Sequence, residues 1–293
     1  MEQFYNKNYK KLLIIPIVLL ILSLLIIINH YNKTGDIVNK DVSLKGGLSI
    51  EIYTEKQIDK DFLSIKEELE KSFPNGNFLI RKTSELSASL QSGLIIESAD
   101  VKEQDLKPVV EKILNLKLED DKNYFVRETS SSLGESFYRQ MLTTILIAFL
   151  FMAVTVFIIY RKFIPSLAII LSPILNMINT IAVIDLLGFV VSEATIAGLL
   201  LMIGYSVDTD ILLSTKVLKN KDGTVFQRMK ESFKTGITMT FATIAALVLA
   251  IVVSKSLVLR EMFIVISLGL LFDVISTYIM NTGLLKIYLK NED

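Results

Sequence analysis

The stretch MLTTILIAFLFMAVTVFIIY, from Met141 to Tyr160, runs twenty residues without a charge. A helix rises about 1.5 Å per residue, so this run covers about 30 Å, the thickness of a bilayer's hydrocarbon core. Five other stretches have the same character: Leu12–Ile28, Ile164–Leu187, Ala194–Ser214, Gly236–Val253 and Met262–Leu285. All six together hold only four charged residues, Asp185, Asp208, Asp210 and Asp273, whereas the whole chain is 21% charged. A soluble domain interleaves charge along its helices, and this chain segregates it. The sequence therefore predicts an α-helical integral membrane protein with six transmembrane helices and excludes a soluble globular protein.

Working outward, one span comes first, then a long mainly polar segment, then five closely spaced spans. This divides the chain into residues 1–29 (N-terminus and first span), 30–138 (polar domain) and 139–293 (five-helix bundle). Lys7, Lys10 and Lys11 precede the first apolar run as they would in a signal peptide, but no small-x-small cleavage site follows, so the run is read as a retained span. Lysine and arginine alternate between loops. Arg161 and Lys162, then Lys216, Lys219, Lys221, Arg228, Lys230 and Lys234, and finally Lys286 and Lys290 share a side with the N-terminal lysines. The opposite short loops hold only Lys255 and Arg260. The positive-inside rule then places both termini in the cytoplasm and residues 30–138 outside it, in a multi-pass cell-membrane protein.

The polar segment carries its own periodicities. Leu48–Tyr53 alternates as a strand, and Phe78–Lys82, Leu94–Glu97 and Tyr124–Glu128 read as three more. Ile58, Phe62, Ile65, Leu69 and Phe73 recur at helical spacing after a capping box at Thr54 and Gln57. Pro74-Asn75-Gly76 breaks the chain. A second helix is expected over Leu106–Leu116, with Pro108 in its first turn. The order β-α-β-β-α-β predicts an α+β ferredoxin-like domain between the first and second spans.

Composition closes several routes. The 293 residues carry 31 basic and 31 acidic side chains, so nothing electrostatic favours nucleic acid. There is no Cys, hence no disulfide, thiolate metal site or thiol nucleophile. Trp is absent, so an aromatic belt would use Tyr and Phe. The single histidine, His30, reads as a solvated or interfacial residue, since a metal needs partners. Lys45-Gly46-Gly47 lacks the phosphate-loop pattern, and its glycines suit a tight turn. No nucleophile–base or metal-ligand constellation is visible, so no enzyme activity, catalytic residue, cofactor or metal is expected.

The intramembrane carboxylates remain. Charge in hydrocarbon is costly unless paired or hydrated, which marks such groups as functional candidates. Asp208 lies inside the fourth span and is ranked first as a protonatable or ion-binding group, with Tyr205 expected beside it at i−3. Asp210, about 200° around the helix, is ranked lower. Asp273 sits near the centre of the last span and serves function or pairing equally well. Asp185 reads as interfacial. Asn176 and Asn179 share a face and suit interhelical hydrogen bonds. Lys234 is close enough to snorkel toward Asp208 or Asp210, or to stay solvated. Gly198, Gly204, Thr238, Thr240, Thr243 and Gly269 suit close helix packing.

Gly204-Tyr205-Ser206-Val207-Asp208-Thr209-Asp210-Ile211-Leu212 resembles the fourth-span signature of the SecD/SecF family of export proteins, in its SecF branch. Asp41-Val42-Ser43-Leu44-Lys45-Gly46-Gly47 resembles the Gly-Gly element after the first span. Leu133-Gly134 resembles the turn before the second, and Lys234-Thr235-Gly236 the basic-Thr segment opening the fifth. Bacterial members carry Asn-Asp where this chain has Asp208-Thr209, and the sequence is closer to the archaeal form. The resemblance implies a SecD-like partner, a SecYE-type translocation channel, a translocating polypeptide, surrounding membrane lipids and coupling to a proton or ion gradient. Two other classes stay open on residues alone: a half-transporter of the resistance–nodulation–division type for lipids or small molecules, and a membrane scaffold in which Asp208 and Asp273 merely pair.

Overall fold

The computed structural model describes residues 8–54, 61–74, 76, 78–84, 92–120, 122–219, 223–254 and 256–292. Of the positions raised above, Lys7, Gln57, Ile58, Asn75, Lys221 and Lys255 lie outside the described residues. In chain order the elements are α1 (Ile14–Thr34), α2 (Val42–Lys45), β1 (Gly47–Thr54), α3 (Phe62–Ser72), β2 (Phe78–Ser84), β3 (Ser92–Ser98), α4 (Glu103–Leu114), β4 (Tyr124–Thr129), α5 (Ser131–Tyr160), α6 (Phe163–Leu186), α7 (Glu193–Leu218), α8 (Val225–Val253), α9 (Leu257–Ile275), a π-helical turn (Ser276–Asn281) and α10 (Thr282–Glu292). They fall into two units. One spans residues 40–142 with 252–257, and the other holds the remaining helices.

The α+β unit is built on a four-stranded antiparallel sheet of order β2-β3-β1-β4. Strand β1 alternates as its sequence does: Leu48, Ile50 and Ile52 are buried, and the residues between them are half-buried. Ile50 faces Ile96 on one neighbour and Val126 on the other. Helices α3 and α4 close the apolar face with Ile65 and Leu69, and with Leu106, Val110 and Ile113. Burying an aliphatic side chain is worth about 1.5–3 kcal/mol, so this cluster is the source of the unit's stability. Gly46 and Gly47 have φ of 82° and 126°, a region that disfavours side chains. A Cβ on Gly46 would collide with the Ser131 backbone, one on Gly47 with the Ser98 carbonyl, and one on Gly134 with the Gly46 nitrogen at 2.6 Å. The glycines thus let the start of α5 lie directly on the chain entering β1. Glu97 is 3% exposed and pairs with Arg81. Burial pushes its carboxyl above the ordinary value, with the Arg81 guanidinium pulling the other way.

Six helices among the described residues are long and apolar enough to cross a membrane: Asn8–Thr34, Ser131–Tyr160, Phe163–Leu186, Glu193–Leu218, Val225–Val253 and Val258–Leu289. The protein is a multi-pass membrane protein. Several helices outrun their apolar stretches. The second begins at Ser131 rather than Met141, and the fifth at Val225 rather than Gly236. Apolar runs mark only the hydrocarbon-crossing part, and the polar first turns continue the same backbone hydrogen bonding. The third, fourth and sixth spans are 56%, 50% and 39% buried and form the centre. The first, second and fifth are 11%, 6% and 11% buried and leave most of their surface to lipid or a partner. Ser192 caps α7 in a capping box with Thr195, and its hydroxyl also donates to Glu261 at 2.7 Å.

Candidate functional site

The centre of the helical unit is polar. Asp210 on α7 and Asp273 on α9 are both fully buried. Asp273 Oδ1 accepts from Ser206 Oγ at 2.5 Å, Asn176 Nδ2 at 3.0 Å and Thr277 Oγ1 at 3.3 Å, and its Oδ2 accepts from Thr209 Oγ1 at 2.8 Å. Asp210 Oδ1 accepts from Thr277 Oγ1 at 2.9 Å and Asn281 Nδ2 at 2.8 Å. Ser276 Oγ donates to Asn176 Oδ1. Thr277 has one hydroxyl proton and lies against both carboxylates, so it serves one fully at a time.

Three features of the sequence produce this arrangement. On α7, Ser206, Thr209 and Asp210 recur at i, i+3 and i+4 and so share a face. On the last span, Asp273, Thr277 and Asn281 follow at i, i+4 and i+8. The backbone there opens into the π-helical turn Ser276–Asn281, where Thr282 Oγ1 reaches back to the Thr277 carbonyl at 3.0 Å. Such turns widen the spacing of side chains and recur at functional sites. Gly269 lets Met202 sit against α9, and Gly198 faces Val265, which brings α7 and α9 close enough for the two carboxylates to share a donor. Asp210 Oδ2, Asn281 Oδ1, Ser172 Oγ and Ser214 Oγ are buried without a hydrogen-bond partner among the described residues. No group of three or more His, Asp or Glu side chains comes together among those residues as a metal centre would need.

The two enclosed carboxylates are Asp210 and Asp273, and Asp208, expected first as a protonatable or ion-binding group, is exposed on this chain. The 200° turn that separates it from Asp210 puts Asp210, not Asp208, toward α9. The Tyr205 hydroxyl lies 3.0 Å from Thr243 Oγ1 on α8, and no hydrogen bond joins it to Asp208 among the described residues. Lys234 is exposed and forms no ion pair with Asp208 or Asp210 among the described residues. Gly204 has nothing within 4 Å of the Cβ position, so it packs against no helix of this chain. Thr238 is exposed and bonds back to the Lys234 carbonyl. His30, read as solvated or interfacial, and Asp185, read as interfacial, meet at 2.7 Å between the ends of the first and third spans with both side chains mostly buried, so His30 is not solvated. Asn176 and Asn179 do bridge helices, the latter accepting from Ser23 at 2.8 Å. Sequence reasoning missed Thr277, Asn281 and Ser172. The i, i+4, i+8 row running from Asp273 was the available signal for the first two.

Fold and site define a multi-pass membrane protein with a buried carboxylate pair and one α+β unit after its first span. Residues 109–291 match the family described as "Protein export membrane protein SecD/SecF, C-terminal". The protein-export membrane protein SecF of Methanocaldococcus jannaschii is 34% identical over 288 residues, 97% of this chain and 96% of that one. SecF of Pyrococcus furiosus is 32% identical, covering 97% and 92% of the two chains. The crystal structure of SecDF, a translocon-associated membrane protein from Thermus thermophilus, is similar in fold, with a TM-score of 0.78 at 17% identity. The match covers 97% of this chain but only 38% of that one. The chain belongs to the SecD/SecF family of protein-export membrane proteins, in its SecF branch.

Proposed function

We propose that the chain is the SecF subunit of a Sec export apparatus and that it works with a SecD-like partner beside the translocation channel. The shared length with archaeal SecF proteins supports this, as does the fact that the chain matches only 38% of a SecDF chain. The remainder of such a chain has room for the partner. The lysine and arginine bias supports cytoplasmic termini, with the α+β unit outside, where it would meet an emerging polypeptide. The largely unburied first, second and fifth spans supply surface for the partner, and Asp208, Tyr205 and Lys234 line the exposed side of α7 and α8.

The observation that carries the mechanism is the pair Asp210–Asp273, enclosed by hydroxyls and amides with no basic side chain bonded to either among the described residues. Two carboxylates in a low-dielectric interior repel, and only a proton or cation entering the site relieves them. Taking up and releasing that charge changes which carboxylate Thr277 serves, and so biases the packing of the sixth span on the fourth. This shift would couple the site to an ion gradient. The test is export measured with and without an imposed gradient in vesicles carrying Asp273→Asn or Asp210→Asn. Loss of the gradient-dependent part, with the partner still co-purifying, supports the reading. Normal gradient-driven export in both variants would leave the carboxylates as structural glue.

A further inference from the structure

An apolar groove lies between the first, third and sixth spans. Pro16 and Leu20 of the first span, Leu171 and Ile178 of the third, and Met280 and Leu284 of the sixth line it, and it encloses about 320 Å³. Its walls are apolar almost throughout. The lining residues recur at i, i+3, i+4 and i+7 on both α1 and α6, so the groove runs along the helices rather than across them. Leu13 lines its end nearest the N-terminus, and Gly283 lets it approach the sixth span, since a Cβ there would meet Leu13 at 2.7 Å. One turn back along the first span Lys10 and Lys11 are exposed, and the Lys286 ammonium lies 4.6 Å from the centre of the Tyr9 ring.

We infer that this groove is a binding site for one phospholipid with an acidic headgroup, its acyl chain in the groove and its phosphate at Lys10 and Lys11. The apolar wall selects a hydrocarbon chain, because a polar occupant would find no hydrogen-bond partner there. Lys10 and Lys11 select a negative headgroup by charge complementarity. The lining residues Leu13, Ile17 and Leu20 follow Lys10 by about one to three helical turns, the reach of an acyl chain whose headgroup sits at the lysines. The position also matters. Met280 belongs to the π-helical turn whose Thr277 and Asn281 hold Asp210. An occupied groove therefore packs against the turn that presents those donors.

The experiment is native mass spectrometry of the full chain in detergent, titrated with palmitoyl-oleoyl phosphatidylglycerol or with phosphatidylcholine bearing the same chains. The wild type should retain one phosphatidylglycerol, about five- to thirtyfold better than phosphatidylcholine, the preference that one to two nearby lysines confer at about 1 kcal/mol each. Lys10→Gln with Lys11→Gln should lower phosphatidylglycerol to the level of phosphatidylcholine. Ile174→Trp, which fills the groove, should remove both lipids while circular dichroism reports an unchanged helix content. If that variant does not fold, Ile17→Phe at the 55% exposed rim makes the same test more gently. Leu25→Phe, as exposed on the same span but outside the groove, should change neither lipid. Equal retention of the two lipids, indifferent to Ile174→Trp and Ile17→Phe, would overturn the site and leave ordinary boundary lipid. So would a spectrum in which a second copy of the chain takes the place of lipid.

Discussion

The two units of this chain are built the opposite way round. In the α+β unit, Leu48, Ile50, Leu69 and Phe78 are inside and charge is outside, apart from Glu97, which keeps Arg81 beside it. In the helical unit, Ser206, Thr209, Asp210, Asn176 and Asp273 are inside, while Leu146, Phe151, Phe241 and Leu249 are 66–74% exposed. Water makes the first arrangement stable. Hydrocarbon removes the gain from burying apolar side chains, so helices in lipid are held by close packing and buried polar contacts. A buried charge accordingly means different things in the two places. In the α+β unit it is a local cost offset by an arginine. In the bundle it is the centre of the structure and has no such partner.

The largest effect should come from removing that centre. Replacing both Asp210 and Asp273 by Leu should abolish gradient-driven export. Insertion should hold, because leucine enters hydrocarbon more readily than aspartate. Thermal stability in detergent should fall only modestly, as the Ser206, Thr209, Thr277, Asn176 and Asn281 donors lose their acceptors. A double variant that fails to insert would show that the pair holds the bundle together, and would erase the contrast with the α+β unit.

The α+β unit should respond the other way. Ile65 is 1% exposed on the helix face that covers the sheet. Ile65→Asp buries an unpaired charge and loses an aliphatic contact, which together cost more than about 4 kcal/mol. A fragment of residues 40–129 carrying it should lose cooperative melting, whereas the wild-type fragment should melt in one transition. Unchanged melting would mean that the core does not rest on α3.

Much of this was legible in the residues. Charge segregation marks six spans, because nothing in a soluble fold requires such long uncharged runs. The alternation of Leu48–Tyr53 and the helical spacing of Phe62, Ile65 and Leu69 place the α+β core, since both periods record one dry face. Which carboxylate the bundle encloses was not legible in the same way. A span apolar on all sides has no amphipathic face to give its rotation, so depth alone favoured Asp208. Only packing against α9 decides for Asp210. The π-helical turn has no sequence signature of its own, and it is what aligns Thr277 and Asn281 with Asp210. The pairing of His30 with Asp185 joins residues from two spans, and single-chain spacing says nothing of such contacts.

A smaller effect separates two glycines of the same family signature. Gly134 has the Gly46 backbone nitrogen 2.6 Å from its Cβ position, and Gly204 has nothing within 4 Å. Gly134→Ala should lower the melting temperature by the equivalent of about 1–3 kcal/mol, as overpacking against backbone does. Gly204→Ala, in the purified chain alone, should be neutral or gain about 0.5–1 kcal/mol from helix propensity. If Gly204→Ala also disrupts co-purification with the SecD-like chain, the bare surface there is a partner contact.

The smallest effect concerns Glu97, the one buried charge among the described residues of the α+β core. Burial sets the Glu97 carboxyl above its ordinary value of 4.5, against the pull of Arg81. Between the unfolded and folded values, the folded chain holds a proton that the unfolded chain has released. Stability therefore falls as pH rises through that window, and what Glu97 contributes is complete only below it. Glu97→Gln binds no proton and removes this slope. It also weakens the contact to Arg81, but that loss adds nothing to the unfolded state's titration. The melting temperature of the Gln fragment, relative to wild type, should therefore improve between about pH 4 and about pH 7. A relative melting temperature that instead worsens over that interval would mean that Arg81 outweighs burial and that the folded carboxyl lies below its ordinary value. The α+β unit would then treat its buried charge as an asset, which would narrow its difference from the bundle.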